Sequence, residues 1–145
     1  MEIAIIADDT KKELMTQFCI AYCGILGHHS LTATQTTGKY IKEATGLDID
    51  CMLPGDIGGM DQIVARVAYN EIDMVLYFRD SVKNEPEYEA ERNLLRECDA
   101  NNIPIATNIA TAEVLVLALE RGSLDWREIV NPRSEYNRRR RGQIV

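Results

Sequence analysis

Three short polar stretches in this 145-residue chain carry the groups that bind a small phosphate. They are Asp8-Asp9 with Lys12 just behind, Thr34-Gln35-Thr36-Thr37-Gly38, and Pro54-Gly55-Asp56-Ile57-Gly58-Gly59. Hydroxyls and glycine amides at helix starts each donate a hydrogen bond to a phosphate oxygen, and an ammonium adds a full positive charge. Ser, Thr and Gly also serve as plain helix caps and turn residues, so either loop alone says little. Two such loops together with Lys12 leave phosphate binding and plain capping both open.

The same region is rich in carboxylates: Asp8, Asp56, Asp61, Glu85, Glu87, Glu89 and Glu91. On one reading the four glutamates are the acidic first turn of a helix, favoured by its dipole. On another, crowded carboxylates raise one another's pKa, so that Asp8 or Asp61 acts as an acid while a partner acts as a base. A third has Asp8, Asp9 and Asp56 holding a divalent cation such as magnesium beside the phosphate. Cys19 and Cys23, four apart with His28 and His29 following, have zinc-ligand chemistry, but cysteines among apolar neighbours at helical spacing belong to a core. The expectation is a site with no metal and no cofactor, four reduced thiols, and His28 and His29 at the surface.

Alternating elements must position these residues. Glu2 to Ala7 is a short β-branched apolar run, the signature of a buried parallel strand. Thr10-Lys11-Lys12-Glu13 has the capping-box pattern and opens a helix to about Ile25. The alternation then recurs, with strands over Ser30–Ala33, Asp50–Leu53, Asp73–Phe78 and Pro104–Thr107. Helices are expected over Gly38–Thr45, Met60–Asn70, Pro86–Asn101 and Thr111–Arg121. Five strands alternating with five helices predict a three-layer doubly wound α/β domain with a mainly parallel sheet. Ligands of such sheets bind outside the carboxyl ends of the strands, where all three polar stretches fall.

Length sets one domain, read here as residues 1–132, followed by a basic tail over 133–145. A hydrophobic fraction of 46% with 27% charged residues excludes disorder. Net charge is −7, although Arg133, Arg138, Arg139, Arg140 and Arg141 put five of the sixteen basic residues in the last thirteen positions. The body is therefore acidic, which argues against a nucleic-acid partner. No run reaches the roughly 20 apolar residues of a membrane span and no export signature opens the chain, so a cytoplasmic location is expected. After Asn131-Pro132 the tail is expected to be loosely attached, either solvated or reaching across a subunit interface to a phosphate. Trp126, with Leu124 and Ile129, is expected to close the core or a subunit contact.

The ordered motifs resemble the methylglyoxal synthase family. They are Ile3-Ala4-Ile5-Ile6-Ala7-Asp8-Asp9 with Lys12, Ala33-Thr34-Gln35-Thr36-Thr37-Gly38, Glu43-Ala44-Thr45-Gly46, Gly55-x-x-Gly58-Gly59, Phe78-Arg79-Asp80, and Ile103 to Asn108 with Thr111-Ala112. The resemblance implies a homohexamer that eliminates phosphate from dihydroxyacetone phosphate to give methylglyoxal. It implies that Lys12, Thr34, Thr36, Thr37 and Gly55 hold the phosphate and that Asp9 lies beside it. Gln35 stands where the family has glycine, and Pro54 where it has serine.

The acid–base set departs further. The family's base is the aspartate directly after Gly-Gly, where this chain has Met60, whose thioether accepts no proton. Asp61, one place on, substitutes only if the loop shifts register, because the next helical residue points about 100° away. Asp8 stands in place of one histidine, Glu87 of another, and Ala90 in place of the latter's aspartate partner. Two functions fit: a phosphate-eliminating lyase whose acid–base work falls to Asp61, Asp8 or Glu87, or a catalytically silent or differently reactive regulator that binds a phosphorylated metabolite or inorganic phosphate.

Overall fold

The computed structural model describes residues 1–142. Strands β1 (Glu2–Ala7), β2 (Ser30–Ala33), β3 (Ile49–Cys51), β4 (Met74–Phe78) and β5 (Ile105–Ala106) form one all-parallel sheet in the order β3-β2-β1-β4-β5. The crossovers carry helices α1 (Lys12–Ala21), α2 (Cys23–Leu26), α3 (Gln35–Thr45), α4 (Gly59–Ala68), α5 (Glu85–Ala100) and α6 (Ile109–Glu120). Short helices α7 (Arg127–Val130) and α8 (Glu135–Arg140) follow.

The period of two along a strand divides the core into two halves. Ile3, Ile5 and Ala7 of β1, with Met74, Leu76 and Phe78 of β4, face Met15 and Phe18 of α1, Ile41 of α3 and Val116 of α6. Ala4 and Ile6, with Val75 and Tyr77, face Ile63 and Val67 of α4 and Leu94 and Cys98 of α5. The doubly wound α/β expectation holds. Among the described residues no helix is long and apolar enough to cross a membrane.

Local details differ from the expectation where tertiary partners intervene. Thr10 does not cap a helix: a 3₁₀ turn over Asp9–Lys11 comes first, and the Thr10 hydroxyl donates to Asp80 instead. The first helix breaks at Tyr22, which separates α1 from α2. The Thr-rich stretch is no separate turn, since α3 starts at Gln35 and includes Thr36, Thr37 and Gly38. The segment after Pro132 is anchored, not loose: the Asn137 side-chain amide donates to the carbonyls of Glu128, Ile129 and Asn131. Arg138, Arg139, Arg140 and Arg141 remain exposed, and the last three residues of the basic tail lie outside the described ones. All four cysteines are free, and burial pushes the thiols of Cys19 and Cys98 up to about 12.

Trp126 is 44% exposed and does not close the core. The neighbouring Arg127 does, fully buried, and it was invisible as a core residue because its charge reads as surface. Its guanidinium donates to Asp73 Oδ1 at 3.1 Å, to Asn70 Oδ1 at 2.7 Å, and to the carbonyls of Ile72 and Asn101. Asn131 adds a second donor to Asp73 Oδ1 at 3.0 Å, so the buried carboxylate is satisfied as well. Removing one member leaves the other buried and unpaired. Arg127→Ala is expected to destabilise the fold by about 3–5 kcal/mol, measured as a lower midpoint in urea. A loss below ~1 kcal/mol would mean that the pair contributes little beyond a surface bridge.

Candidate functional site

In the order β3-β2-β1-β4-β5 the winding reverses between β1 and β4, which opens a crevice at the carboxyl end of the sheet. Asp8 closes the seam below it. Its backbone N–H donates to the Phe78 carbonyl at 2.9 Å, and its Oδ2 accepts from the Asp80 N–H at 2.7 Å. Above the seam lies a cleft of about 460 Å³, within the size range of small-molecule sites.

One wall is the expected phosphate cradle. Lys12, Thr34, Thr36 and Gly55 line the cleft together with Asp9 and Asp56. The Lys12 ammonium donates to the Ala7 carbonyl at 2.9 Å and to Asp9 Oδ1 at 2.8 Å, which leaves one of its three donors for a ligand. That hydrogen bond and the charge behind it hold the exposed Asp9 carboxyl below the usual range. Thr37 does not line the cleft: it is buried, and its hydroxyl oxygen accepts from Thr34 at 3.3 Å, so it orients Thr34 from behind. Gln35 and Pro54 also lie off the lining. Gln35 donates its N–H to the Leu53 carbonyl, and Pro54 accepts from the N–H groups of Ile57 and Gly59. This folds the third loop so tightly that a Cβ on Gly59 would lie 1.9 Å from the Leu53 carbonyl oxygen, and Gly58 adopts φ +111°.

The other wall carries carboxylate and phenol side chains. Glu87, Asp80, Tyr77 and Ala90 line it, and Met60 lines the cleft as well. Among the described residues the Glu87 and Asp56 carboxylates have no hydrogen-bond or ion-pair partner, whereas Asp80 accepts from Thr10. Asp61 is exposed in the first turn of α4 and outside the lining, because Gly59 and Met60 are already helical and no register shift occurs. It is therefore not brought into the site.

Asp8 lines the cleft but is no free acid or base. Its Oδ1 accepts from Tyr77 Oη at 2.9 Å, and its Oδ2 is 2.5 Å from the Lys83 ammonium. Lys83 is also 3.0 Å from Glu91 Oε1, while Arg79 lies 2.7 Å from Glu91 Oε2. The acidic cluster thus splits. Glu85 and Glu87 are first-turn residues of α5, whose cap Asn84 accepts from the Glu87 N–H, and Glu91 is a buried ion-pair partner. Asp8 and Glu91 share the Lys83 ammonium and Arg79 lies against Glu91, so cations rather than other carboxylates are their immediate partners.

Tyr77 and Lys83 are the residues that sequence reading missed. Tyr77 sat in an apolar strand and Lys83 in a polar loop, and only their meeting reveals a network. Among the described residues no group of three Asp, Glu, His or Cys side chains is placed to hold a metal, Asp8, Asp9 and Asp56 included.

A larger cleft, of about 720 Å³, lies at the amino end of the sheet. Its cations are already engaged: Arg66 is 3.3 Å from Glu2 and 3.9 Å from Glu71, and Arg133 is 3.8 Å from Glu71. His29 borders it, half-buried and not fully at the surface as expected. Burial, followed by the amino group of Met1 at 3.0 Å, lowers its pKa to about 4. The histidines are thus on the edge of the sheet opposite the cradle.

The chain is similar to proteins of one family. Residues 17–107 match the family model described as the MGS-like domain. The methylglyoxal synthase of Caldicellulosiruptor saccharolyticus is 56% identical over 138 residues, covering 95% of this chain and 98% of that protein. The methylglyoxal synthase of Thermoanaerobacter sp. strain X514 is 54% identical, covering 89% and 98%. The crystal structure of methylglyoxal synthase from Elizabethkingia anophelis superposes with a TM-score of 0.70 at 30% identity, covering 79% of this chain and 76% of that one.

The cradle makes a direct prediction. Lys12→Met should weaken binding of inorganic phosphate by roughly 10- to 100-fold, the worth of one charge-assisted hydrogen bond. Calorimetric titration measures this, and an unchanged affinity would remove Lys12 from the binding wall.

Proposed function

Because the chain belongs to the methylglyoxal synthase family, we propose that it is a phosphate-eliminating lyase acting on dihydroxyacetone phosphate or a closely related small phosphorylated metabolite. The observation that carries this reading is the pairing within one 460 Å³ cleft of a phosphate cradle with an unengaged carboxylate. A substrate anchored at one end by its phosphate presents its carbonyl end to the opposite wall.

Lys12, Thr36 and Gly55 hold the phosphate, and Thr34 joins them when its hydroxyl hydrogen turns from Thr37 to a phosphate oxygen. Their contacts strengthen as the bridging oxygen gains charge on leaving, so the cradle favours the departing phosphate over the bound ester. Glu87 is the base that takes the proton beside the carbonyl. It lines the cleft, and nothing among the described residues competes for its carboxylate. Met60 cannot do this work, and its apolar side chain instead limits water around the reacting carbons. Chemistry of this kind calls for no metal or cofactor.

The family resemblance also supports a homo-oligomer, a hexamer of 16.4 kDa chains, working in the cytoplasm. Exposed Tyr69, Trp126, Ile129 and Val130 offer apolar surface suited to subunit contacts. Light scattering of the purified protein tests the assembly.

Incubation with dihydroxyacetone phosphate, following methylglyoxal and phosphate together against a no-protein blank, tests the activity. Both products should rise above the blank. Glu87→Gln should lower kcat by about 100-fold or more, the usual worth of a general base, and Asp61→Asn should leave it unchanged. The opposite pattern would return the base role to Asp61. No turnover by a protein that phosphate still stabilises would instead support a metabolite-binding regulator.

A further inference from the structure

The wall facing the phosphate cradle contains a network that neither phosphate binding nor the Glu87 step uses. Tyr77 projects from β4 toward the α4–α5 side and lines the cleft. Its hydroxyl donates to Asp8 Oδ1 at 2.9 Å and accepts from the Lys83 ammonium, which lies 4.6 Å from the centre of the phenol ring. The Lys83 side chain is only 3% exposed and is shared between Asp8 and Glu91. A phenol oxygen fixed between an ammonium and a carboxylate has a proton donor on one side and an acceptor on the other. It is also held in one orientation by three elements at once.

The elimination needs a group that gives a proton to one oxygen and then takes one from another. No imidazole is available, since His28 and His29 follow α2 at the far edge of the sheet. Glu87 already carries the proton taken from carbon, and Lys12 is committed to the phosphate. Asp80 accepts from Thr10 and Asp8 is engaged by Tyr77 and Lys83. The Tyr77 hydroxyl is the remaining donor on this wall.

We propose that Tyr77 is the proton-sharing residue of the reaction and that Lys83 is its positioning partner. This inference rests on the lyase reading. In the first step Glu87 removes a proton from the hydroxymethyl carbon. The C–H pair becomes a carbon–carbon double bond, and the carbonyl π pair moves onto its oxygen. Rotation about the Cζ–Oη bond turns the phenolic hydrogen from Asp8 to that oxygen, which leaves an enediol and a phenolate beside the Lys83 ammonium.

In the second step the phenolate takes the proton of the terminal enediol hydroxyl. The O–H pair forms the aldehyde, the double bond shifts toward the phosphate-bearing carbon, and the C–O bond breaks with its pair leaving on phosphate. Phosphate then accepts the proton held by Glu87, so both side chains are restored. The released enol becomes methylglyoxal by tautomerisation.

The resting charges suit these roles. Burial raises the Tyr77 phenol above its ordinary range, with the Lys83 hydrogen bond working against it, so the phenol is protonated when substrate enters. Burial works against the Lys83 charge, yet hydrogen bonds to Asp8, Tyr77 and Glu91 hold its pKa above the usual lysine value. A lysine held protonated does not add to a carbonyl, which excludes a Schiff-base role and leaves a fixed positive charge beside the transient phenolate.

The test is the activity of Tyr77→Phe, Lys83→Met and Lys83→Arg with dihydroxyacetone phosphate, kcat and KM resolved, beside calorimetric titration with inorganic phosphate. Tyr77→Phe keeps the ring and removes one hydroxyl, so it is the decisive variant. Its kcat should fall by about 100- to 1,000-fold while KM and phosphate affinity stay within roughly twofold, the signature of a contact made in the transition state. Lys83→Met should fall in the same direction, and Lys83→Arg should recover part of the loss by restoring the charge. A Tyr77→Phe enzyme with wild-type kcat overturns this inference and leaves the lyase reading intact. A comparable loss of phosphate affinity in Tyr77→Phe also overturns it, because the hydroxyl would then act by holding the cleft in shape. A wild-type protein that forms no methylglyoxal overturns both.

Discussion

A buried lysine cannot stay charged without partners, and Lys83 has recruited them from three separate parts of the fold. Moving an ammonium out of water costs several kcal/mol, so its carboxylates must be brought to it with good geometry. Asp8 comes from the end of β1, Glu91 from the interior of α5, and the Tyr77 hydroxyl from β4. Satisfying one charge therefore fixes the height of α5 over the sheet and the path of the loop from Arg79 to Asn84. It also fixes the spacing between the two strands whose ends frame the cleft. Asp8 does double duty, since the oxygen that meets Lys83 also accepts from the Asp80 N–H. The wall of the site and the seam of the sheet are one structure.

The opposite wall follows different physics. An acidic chain offers an anion a place only where local groups overcome its average charge, and the groups gathered on this wall are Lys12, Thr34, Thr36 and Gly55. Lys12 is held ready by the Ala7 carbonyl and Asp9, which keep its ammonium at the end of β1 before any ligand arrives. The tight return at Gly58 and Gly59 brings the third loop onto the second. Neither wall is complete without the other. In the proposed reaction the cradle supplies position, and the carboxylate-and-phenol wall supplies proton transfer.

Arg127 shows the same logic away from the site. Its guanidinium, Asp73, Asn70 and Asn131 form a closed polar set beneath the carboxyl-terminal helices, with every strong donor and acceptor answered. It ties the loop before β4 to α7. Because α8 in turn hangs on α7 through Asn137, the final segment is part of the same body.

Much of this was legible in the sequence. Five short strand-forming runs alternating with helix-forming stretches leave a parallel α/β sheet as the economical way to bury both faces, and the polar turns then fall on one edge by topology alone. Lys12, Thr34, Thr36 and Gly55 were readable as cleft residues because they fall within a few residues of the ends of β1, β2 and β3, where local sequence and position in space coincide. The residues that escaped depend on partners distant in the chain. Thr37 and Thr36 are neighbours of the same polarity, yet one backs the cleft and the other lines it, because α3 begins at Gln35. Asp61 looked like a replacement base one residue from Met60, but the helical start at Gly59 turns it outward. Tyr77 and Lys83 carry no local signal at all, and Glu91 reads only as one of a run of carboxylates. A tyrosine in a strand, a lysine in a loop and a glutamate in a helix become one buried polar network only when burial removes the water that would otherwise have kept each of them content alone.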